Sequence, residues 1–214
     1  MSSCIVGAGG FAKCICDALW CNGHKDILFL NRGVTSGDTL FGFPVVSEDE
    51  IFSSDRPSAV FVGIGDEWKR ERYVAAAREQ WQHLHFPSLI HPTAVVDESA
   101  SVSEGVIVLA GAVVGRDAIV RSFSAVCTGA RICEKAVVNQ FATVGPGSRV
   151  ARATIIGKRV FVGLRAETAV DLNVGADSVI GAQAIVTHDV PKCTIVMGRP
   201  ALVRRHREPG PRPF

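Results

Sequence analysis

An α/β domain of βαβ order followed by a parallel β-helix is the fold the chain predicts, and three observations carry it. From Val96 to Val186 every sixth residue is Val or Ile, Thr168 excepted, and the register never slips across sixteen hexads. A period of six fits neither the 3.6 of an α-helix nor a hairpin meander; it fits one short flat strand and one turn per repeat. Ahead of the repeats, short apolar runs alternate with amphipathic stretches, the rhythm of a small parallel sheet covered on both faces. Directly after the first apolar run stands Gly7-Ala8-Gly9-Gly10-Phe11-Ala12-Lys13, a glycine turn that opens a helix.

Cys4 to Val6 reads as the first strand, a continuous apolar run bounded by glycine. The G-x-G-x-x-A pattern after it aims backbone N–H groups and a helix dipole at whatever lies above, a phosphate or a nucleotide ribose being the natural guest. A tight turn without a ligand is the alternative use of the same glycines. Helical stretches follow around Phe11 to Cys21 and Glu67 to Trp81, with apolar strands at Ile27 to Leu30 and Ala59 to Ile64 between them. Where a dinucleotide site wants an acid at the end of the second strand, Asn31 and Arg32 stand instead. Asn can hydrogen-bond a ribose or a base, but the negative clamp is missing, so a nicotinamide cofactor is not expected. Gly65-Asp66 lies at the carboxyl edge, where open α/β sheets bind ligands, and Arg70 one helical turn later is within reach of a phosphate. The plainer alternative makes Asp66 a helix N-cap and Arg70 part of a solvated face. The candidate substrate-binding residues are thus Gly7, Gly9, Gly10, Asn31, Arg32, Gly65, Asp66 and Arg70.

His83 to His91 leads into the repeats, and Pro87 and Pro92 end any helix before it. Residues 1–86 form the first domain, 87–191 the β-helix, and 192–214 a C-terminal cap and basic tail. Three hexads per coil give a little over five coils, about 25 Å of prism at ~4.8 Å per coil. The prism's exposed ends need cover, which the first domain would supply at one end and Pro191 to Arg205 at the other. Arg204 to Phe214, with three prolines and four arginines, is expected to be mobile.

Composition narrows the function classes. At 214 residues, 47% hydrophobic and 21% charged, the chain is ordinary globular material. A net charge of +2 with dispersed basic residues gives no reason to expect nucleic acid. No apolar run approaches the roughly 20 residues of a membrane span, and Met1 to Gly7 has no basic region ahead of a signal-peptide core, so the cytoplasm is the expected location. The seven cysteines form no compact disulfide framework. Cys14-x-Cys16 lacks a partner pair at zinc spacing and reads as small buried residues, so no metal is expected.

Beyond these local readings, nearly the whole chain resembles bacterial nucleotide-sugar acyltransferases of the sialic-acid O-acetyltransferase and UDP-4-amino-sugar N-acetyltransferase type, within the hexapeptide-repeat superfamily. The resemblance rests on Gly7 to Lys13, on Gly65-Asp66 with Arg70, and on Leu89-Ile90-His91-Pro92-Thr93-Ala94 leading into the repeats. It extends to Val186-Thr187-His188-Asp189-Val190-Pro191 and Gly198-Arg199-Pro200-Ala201 at their close. It implies a Rossmann-like N-terminal domain that holds a nucleotide sugar, then a left-handed parallel β-helix assembled as a homotrimer with acetyl-CoA in the groove between prisms. The implied reaction is acyl transfer to a sugar amine or hydroxyl, without a metal. The family's catalytic His follows G-A-x-x-x, and counting from Gly129-Ala130-Arg131-Ile132-Cys133 puts Glu134 in its place. A second family His, just before a Pro-Gly turn, falls on Thr143. A glycine at the thioester carbonyl becomes Arg152, and the Gly-Ala-Gly beside the pantetheine arm reads Gly163-Leu164-Arg165. The acyl-CoA residues implied are Thr143, Arg152, Gly163, Arg165, Gly181 and Arg199, while Arg204 and Arg205 also fall where CoA phosphates would lie.

A sugar ammonium must lose a proton to attack a thioester, so the best base titrates near the working pH. Glu134, with a reference pKa of about 4.3, meets that condition only if burial raises it. The alternative is an ion-pairing surface Glu on a turn, with proximity alone supplying the acceleration. The expectation is an acetyl-CoA-dependent N-acyltransferase of a nucleotide-linked amino sugar, of the 4-amino-4,6-dideoxy type, for surface-glycan synthesis. A trimeric nucleotide-sugar-binding protein that has lost acetyl transfer, or a transferase with another acyl donor, stand as alternatives. The carbonic-anhydrase use of this helix is set aside, since its metal needs several His and Pro92 to Val186 contains none.

Overall fold

The computed structural model describes residues 2–31, 38–52, 59–81 and 83–212. Five strands, β1 (Ser3–Val6), β2 (Ile27–Asn31), β3 (Thr39–Leu40), β4 (Phe43–Ser47) and β5 (Ala59–Val62), form one sheet in the order β3-β4-β2-β1-β5. β1 pairs in parallel with β2 and β5, β2 pairs in parallel with β4, and β3 alone runs antiparallel. Helix α1 (Gly10–Cys21) buries Ala12, Ile15, Cys16, Ala18 and Leu19, one apolar stripe at helical spacing. The short strands β3 and β4, and the five-residue helix α2 (Glu48–Phe52), are absent from the sequence reading.

Helix α3 (Glu67–Gln80) is the exception to amphipathic design. Its inward stripe is Glu67, Arg70, Val74 and Ala77, half of it charged. A helix can bury such a stripe only against polar partners: Arg70 meets backbone carbonyls of both domains and the Thr143 hydroxyl, and Glu67 meets Arg212.

That second domain is a left-handed parallel β-helix of seventeen two-residue strands, β6 (Leu89–Ile90) through β22 (Ile185–Val186). Strands eighteen residues apart stack in parallel register: Val114 pairs with Val96 below and Ile132 above, so three hexads make one coil. The hexad row points inward, with Val108, Val120, Val138, Val150 and Ile156 wholly buried in one cluster. Small residues two places earlier, Ala112, Ala118, Ala130, Ala136 and Ala142, fill the corners of the same core. Where that position is polar, the hydroxyl is spoken for: Ser148 Oγ donates to the carbonyls of Gly145 (2.7 Å) and Gly163 (2.8 Å). Thr168 is buried too, and its Oγ1 accepts the backbone N–H of Ala151 at 3.0 Å.

Most corners carry one residue in the left-handed region, among them Phe123 (φ 58°), Lys135 (φ 59°), Phe141 (φ 60°) and Arg159 (φ 55°). A non-glycine residue there costs about 1 kcal/mol or more. The coil below offsets it: Phe123 N–H donates to Glu104, Phe141 N–H to Ser122, and Arg159 N–H to Gln140. At Gly163 the stacking itself demands glycine, since a Cβ would lie 2.7 Å from the Ala182 nitrogen.

β23 (Thr194–Met197) adds in parallel to the last coil on one face, and β24 (Leu202–His206) folds back antiparallel onto it. Arg204 and Arg205, expected in a mobile tail, therefore belong to a strand, and Arg212 returns to the N-terminal domain. The first domain likewise does not cap an end of the prism. It lies along the side, because α3 finds partners coil after coil: Arg78 with Glu104 (2.7 Å), Arg70 with Phe123 and Phe141, Trp68 with Asp177 (2.8 Å). Arg159 closes this seam, holding Asp177 with two 2.7 Å bonds and Glu71 with a third, its guanidinium 4.3 Å from the centre of the Trp68 ring. Burial pushes the Asp177 carboxyl up, but its hydrogen bonds from Arg159 and Trp68 win and hold it below the usual range. No helix among the described residues is long and apolar enough to cross a membrane.

Arg70 is the centre of the seam. It is 2% exposed, and Nε donates to Phe123 O (2.9 Å), Nη1 to Ile64 O (2.8 Å), and Nη2 to Phe141 O (2.9 Å) and Thr143 Oγ1 (3.0 Å). Arg70→Met strips donors from buried carbonyls of both domains, and a loss of about 3–5 kcal/mol is expected in urea unfolding. Thr168→Val completes the aliphatic row yet leaves the Ala151 N–H unmet, so a loss of about 1 kcal/mol, not a gain, is expected in the same measurement.

Candidate active site

The glycine turn sits at the carboxyl edge of the sheet with a cavity on either side. Gly7 adopts φ 101°, and a Cβ there would lie 3.1 Å from the Gly63 carbonyl, so the turn is closed tightly against β5. Gly9 and Gly10 differ: a Cβ on either meets nothing within 4 Å. The space above the start of α1 is open, as an anion seated on a helix N-terminus requires.

The first cavity, about 240 Å³, is lined by Gly7, Phe29, Asn31, Asp38, Leu40 and Val45 among others. Its apolar walls suit a flat base, and the polar residues that line it are Asn31 at the end of β2, Asp38 and Thr39. The acid absent at the end of the second strand thus arrives at Asp38. Sequence reading missed it because Asp38 stands seven residues beyond the end of β2. Arg32 lies outside the described residues.

On the other side of the turn a cavity of about 150 Å³ lies between the domains, lined by Phe11, Gly65, Arg70, Cys127, Thr143 and Arg212. Asp66 caps α3, its Oδ1 accepting Lys69 N–H at 2.9 Å, while Oδ2 accepts Arg212 N–H at 2.9 Å. The plainer reading of Asp66 as an N-cap therefore holds. Arg70 is corrected on both readings: its donors are spent on carbonyls and Thr143, leaving none for a phosphate, and it is buried, not solvated. Thr143, expected beside CoA, lines this interdomain cavity, its hydroxyl accepting from Arg70.

Glu67 is a functional candidate that sequence reading did not single out. Its side chain is 2% exposed, one oxygen lies 3.1 Å from Arg212 Nε, and the other, Oε1, has no hydrogen-bond partner. Burial pushes the carboxyl up from its ordinary value, against the pull of Arg70, Arg212 and the Thr143 hydroxyl. Burial likewise pushes the neighbouring Cys127 thiol up to about 12, so that sulfur is inert at neutral pH. Cys16 is buried as expected, but Cys14 is exposed.

The remaining predicted residues lie on the β-helix at two other corners. Gly163, Arg165 and Gly181 stack on consecutive coils of one corner, and Arg199 joins them by donating Nε to Gln183 O at 2.6 Å. Glu134 and Arg152 occupy a different corner, stacked eighteen residues apart: Ala153 N–H donates to Glu134 O, and Arg152 pairs with Asp171 at 2.7 Å. Glu134 is exposed and lines none of the cavities described above. The protomer alone does not supply the burial its role as base requires.

Comparison with known proteins agrees with this architecture. Residues 4–77 match the family described as the PglD N-terminal domain. A variant of perosamine N-acetyltransferase from Caulobacter crescentus, solved in complex with CoA and GDP-perosamine, is 28% identical, with 96% of this chain and 97% of that one covered and a TM-score of 0.89. The acetyltransferase domain of PglB from Neisseria gonorrhoeae, in complex with acetyl coenzyme A, is 28% identical over 94% of this chain and 98% of that one, TM-score 0.88. WeeI from Acinetobacter baumannii shares the fold at 22% identity, covering 95% and 99% of the two chains, with a TM-score of 0.84. No curated protein sequence matches the chain. Residues 4–77 thus match the PglD N-terminal domain, and the chain as a whole shares its two-domain architecture with these two acetyltransferases.

Proposed function

We infer that the protein transfers the acetyl group of acetyl-CoA to the amine of a nucleotide-linked amino sugar, of the 4-amino-4,6-dideoxy type, in surface-glycan biosynthesis. One observation carries the reading: the chain aligns end to end with an N-acetyltransferase whose structure holds both CoA and a nucleotide amino sugar, and it retains the ligand-ready turn of the first domain. The nucleotide base is assigned to the cavity of Asn31 and Asp38, the diphosphate to the open N-terminus of α1, and the sugar to the Gly65 side of the turn. Acyl-CoA is assigned to the corner of Gly163, Arg165, Gly181 and Arg199, and the assembly is a cytoplasmic homotrimer.

In the reaction the ammonium gives up a proton, its nitrogen attacks the thioester carbonyl carbon, the C–S bond breaks, and CoA leaves as the thiol while an amide forms. No metal takes part. Glu134 acts as the base in this scheme only where a neighbouring prism buries its corner; otherwise an uncharged amine held near the thioester suffices.

A second reading, a nucleotide-sugar binder without transfer, is favoured by Glu134 and Thr143 standing where the family has histidine and by Arg152 and Arg165 standing where it has glycine. A thiol-release assay with acetyl-CoA and UDP-, GDP- and dTDP-4-amino sugars separates the two. Turnover with at least one sugar is expected, at a rate that rises with pH as the amine loses its proton. No release with any of them up to about pH 9, with calorimetry showing nucleotide-sugar binding but none to CoA, establishes the second reading instead.

A further inference from the structure

Arg212, which lines the interdomain cavity, covers a buried carboxylate that does not itself line it. That carboxylate is Glu67, bracketed by Arg70 and Arg212, and these two cations differ in kind. Arg70 donates to carbonyls and to Thr143, so it stabilises the Glu67 charge through space and cannot leave without undoing the domain seam. Arg212 makes the ion-pair contact, Nε to Oε2 at 3.1 Å, and arrives on the C-terminal segment after β24. It is held by few contacts: its N–H to Asp66 Oδ2, its Nη2 to Gly65 O at 2.9 Å, and its guanidinium 4.1 Å from the centre of the Phe161 ring. Its Nε finds no hydrogen-bond geometry with Glu67 and is itself unpartnered. A buried anion is thus paired imperfectly, by a side chain that sits where the carboxyl edge of the sheet offers a ligand its place.

The position matches a ligand that crosses the glycine turn. Phe11, in the first turn of α1, lines this cavity, and Gly7 and Asn31 line the other, so a molecule seated on the open turn between them reaches both. About 150 Å³ is the volume of a hexose ring, not of a nucleotide. We propose that the cavity beside Glu67 receives the ammonium-bearing sugar of the substrate, Glu67 binding the ammonium through the Oε2 that Arg212 now covers, and that Arg212 is the plug that the ammonium displaces. An ammonium carries three donors on a compact charge, so it meets Oε2 with the hydrogen-bond geometry Arg212 lacks. The inference rests on the amino-sugar reading above, and it moves the amine-binding carboxylate from Glu134 on an exposed corner to Glu67 beside the nucleotide turn.

The test compares, on the full chain and without CoA, calorimetric affinities for a nucleotide 4-amino sugar and for its 4-hydroxy analogue, using the nucleotide that binds wild type. Wild type is expected to prefer the amine by about tenfold, the worth of one charge-assisted hydrogen bond. Glu67→Gln is expected to bring that ratio to about one while affinity for the hydroxy analogue holds. Glu134→Gln is expected to leave the ratio as in wild type, and Arg212→Ala to raise amine affinity several-fold. A Glu67→Gln ratio equal to wild type, or a ratio lost in Glu134→Gln instead, overturns the proposal. Should Glu67→Gln fail to fold, Arg212→Ala decides alone: unchanged or weaker amine affinity overturns it. Binding of the free nucleotide without either sugar form gaining affinity refutes the cavity assignment, whereas absence of all nucleotide binding refutes the function on which it rests.

Discussion

A single buried guanidinium determines how the two halves of this molecule meet. Arg70 leaves α3 one turn after its cap and donates to the carbonyls of Ile64 in its own domain and of Phe123 and Phe141 in the β-helix. Those carbonyls belong to adjacent coils because the corner residues Phe123 and Phe141 stand in the left-handed conformation, one above the other, with rings stacked 5.4 Å apart. The regular repeat thus presents a ladder of acceptors at fixed spacing, and the fork of an arginine matches two of its rungs at once. Lysine, with its single point of charge, could not serve both.

Everything functional about the first domain follows from that docking. With α3 laid along the prism, the carboxyl edge of the sheet faces the β-helix on one side and solvent above the glycine turn on the other. The cavity of Asn31 and Asp38 stays outside the seam, while that of Gly65 and Thr143 is created by it. Glu67 is buried for the same reason: it stands one residue after the cap of a helix whose inward stripe is pressed against the second domain. Its raised proton affinity is therefore a property of the interface and not of the helix.

The β-helix was largely legible in the residue pattern. An inward Val or Ile every six residues has one geometric solution, and Val108, Val120 and Ile156 occupy it. The glycine turn was legible for the same kind of reason, since a tight strand-to-helix passage leaves Gly7 no room for a side chain. Thr168 interrupts the aliphatic row, yet its hydroxyl accepts the Ala151 N–H, a bond that replaces apolar contact with backbone satisfaction. Arg70 invited a reading as a phosphate ligand, because cationic residues one turn into a helix at a sheet edge do meet phosphates. Nothing local distinguishes that use from a buried latch.

The sequence by itself determined the two architectures, their order, the inward face of every coil and the turn that opens α1, because each depends on contacts a fixed and short distance along the chain. Tertiary structure alone decided which polar side chains became buried and with what partners. Arg70 meets Phe123 across 53 residues, and Arg212 meets Asp66 across 146. No periodicity spans such separations, so the electrostatic character of Glu67, Arg70 and Arg212 is set where the domains and the returning C-terminal segment converge.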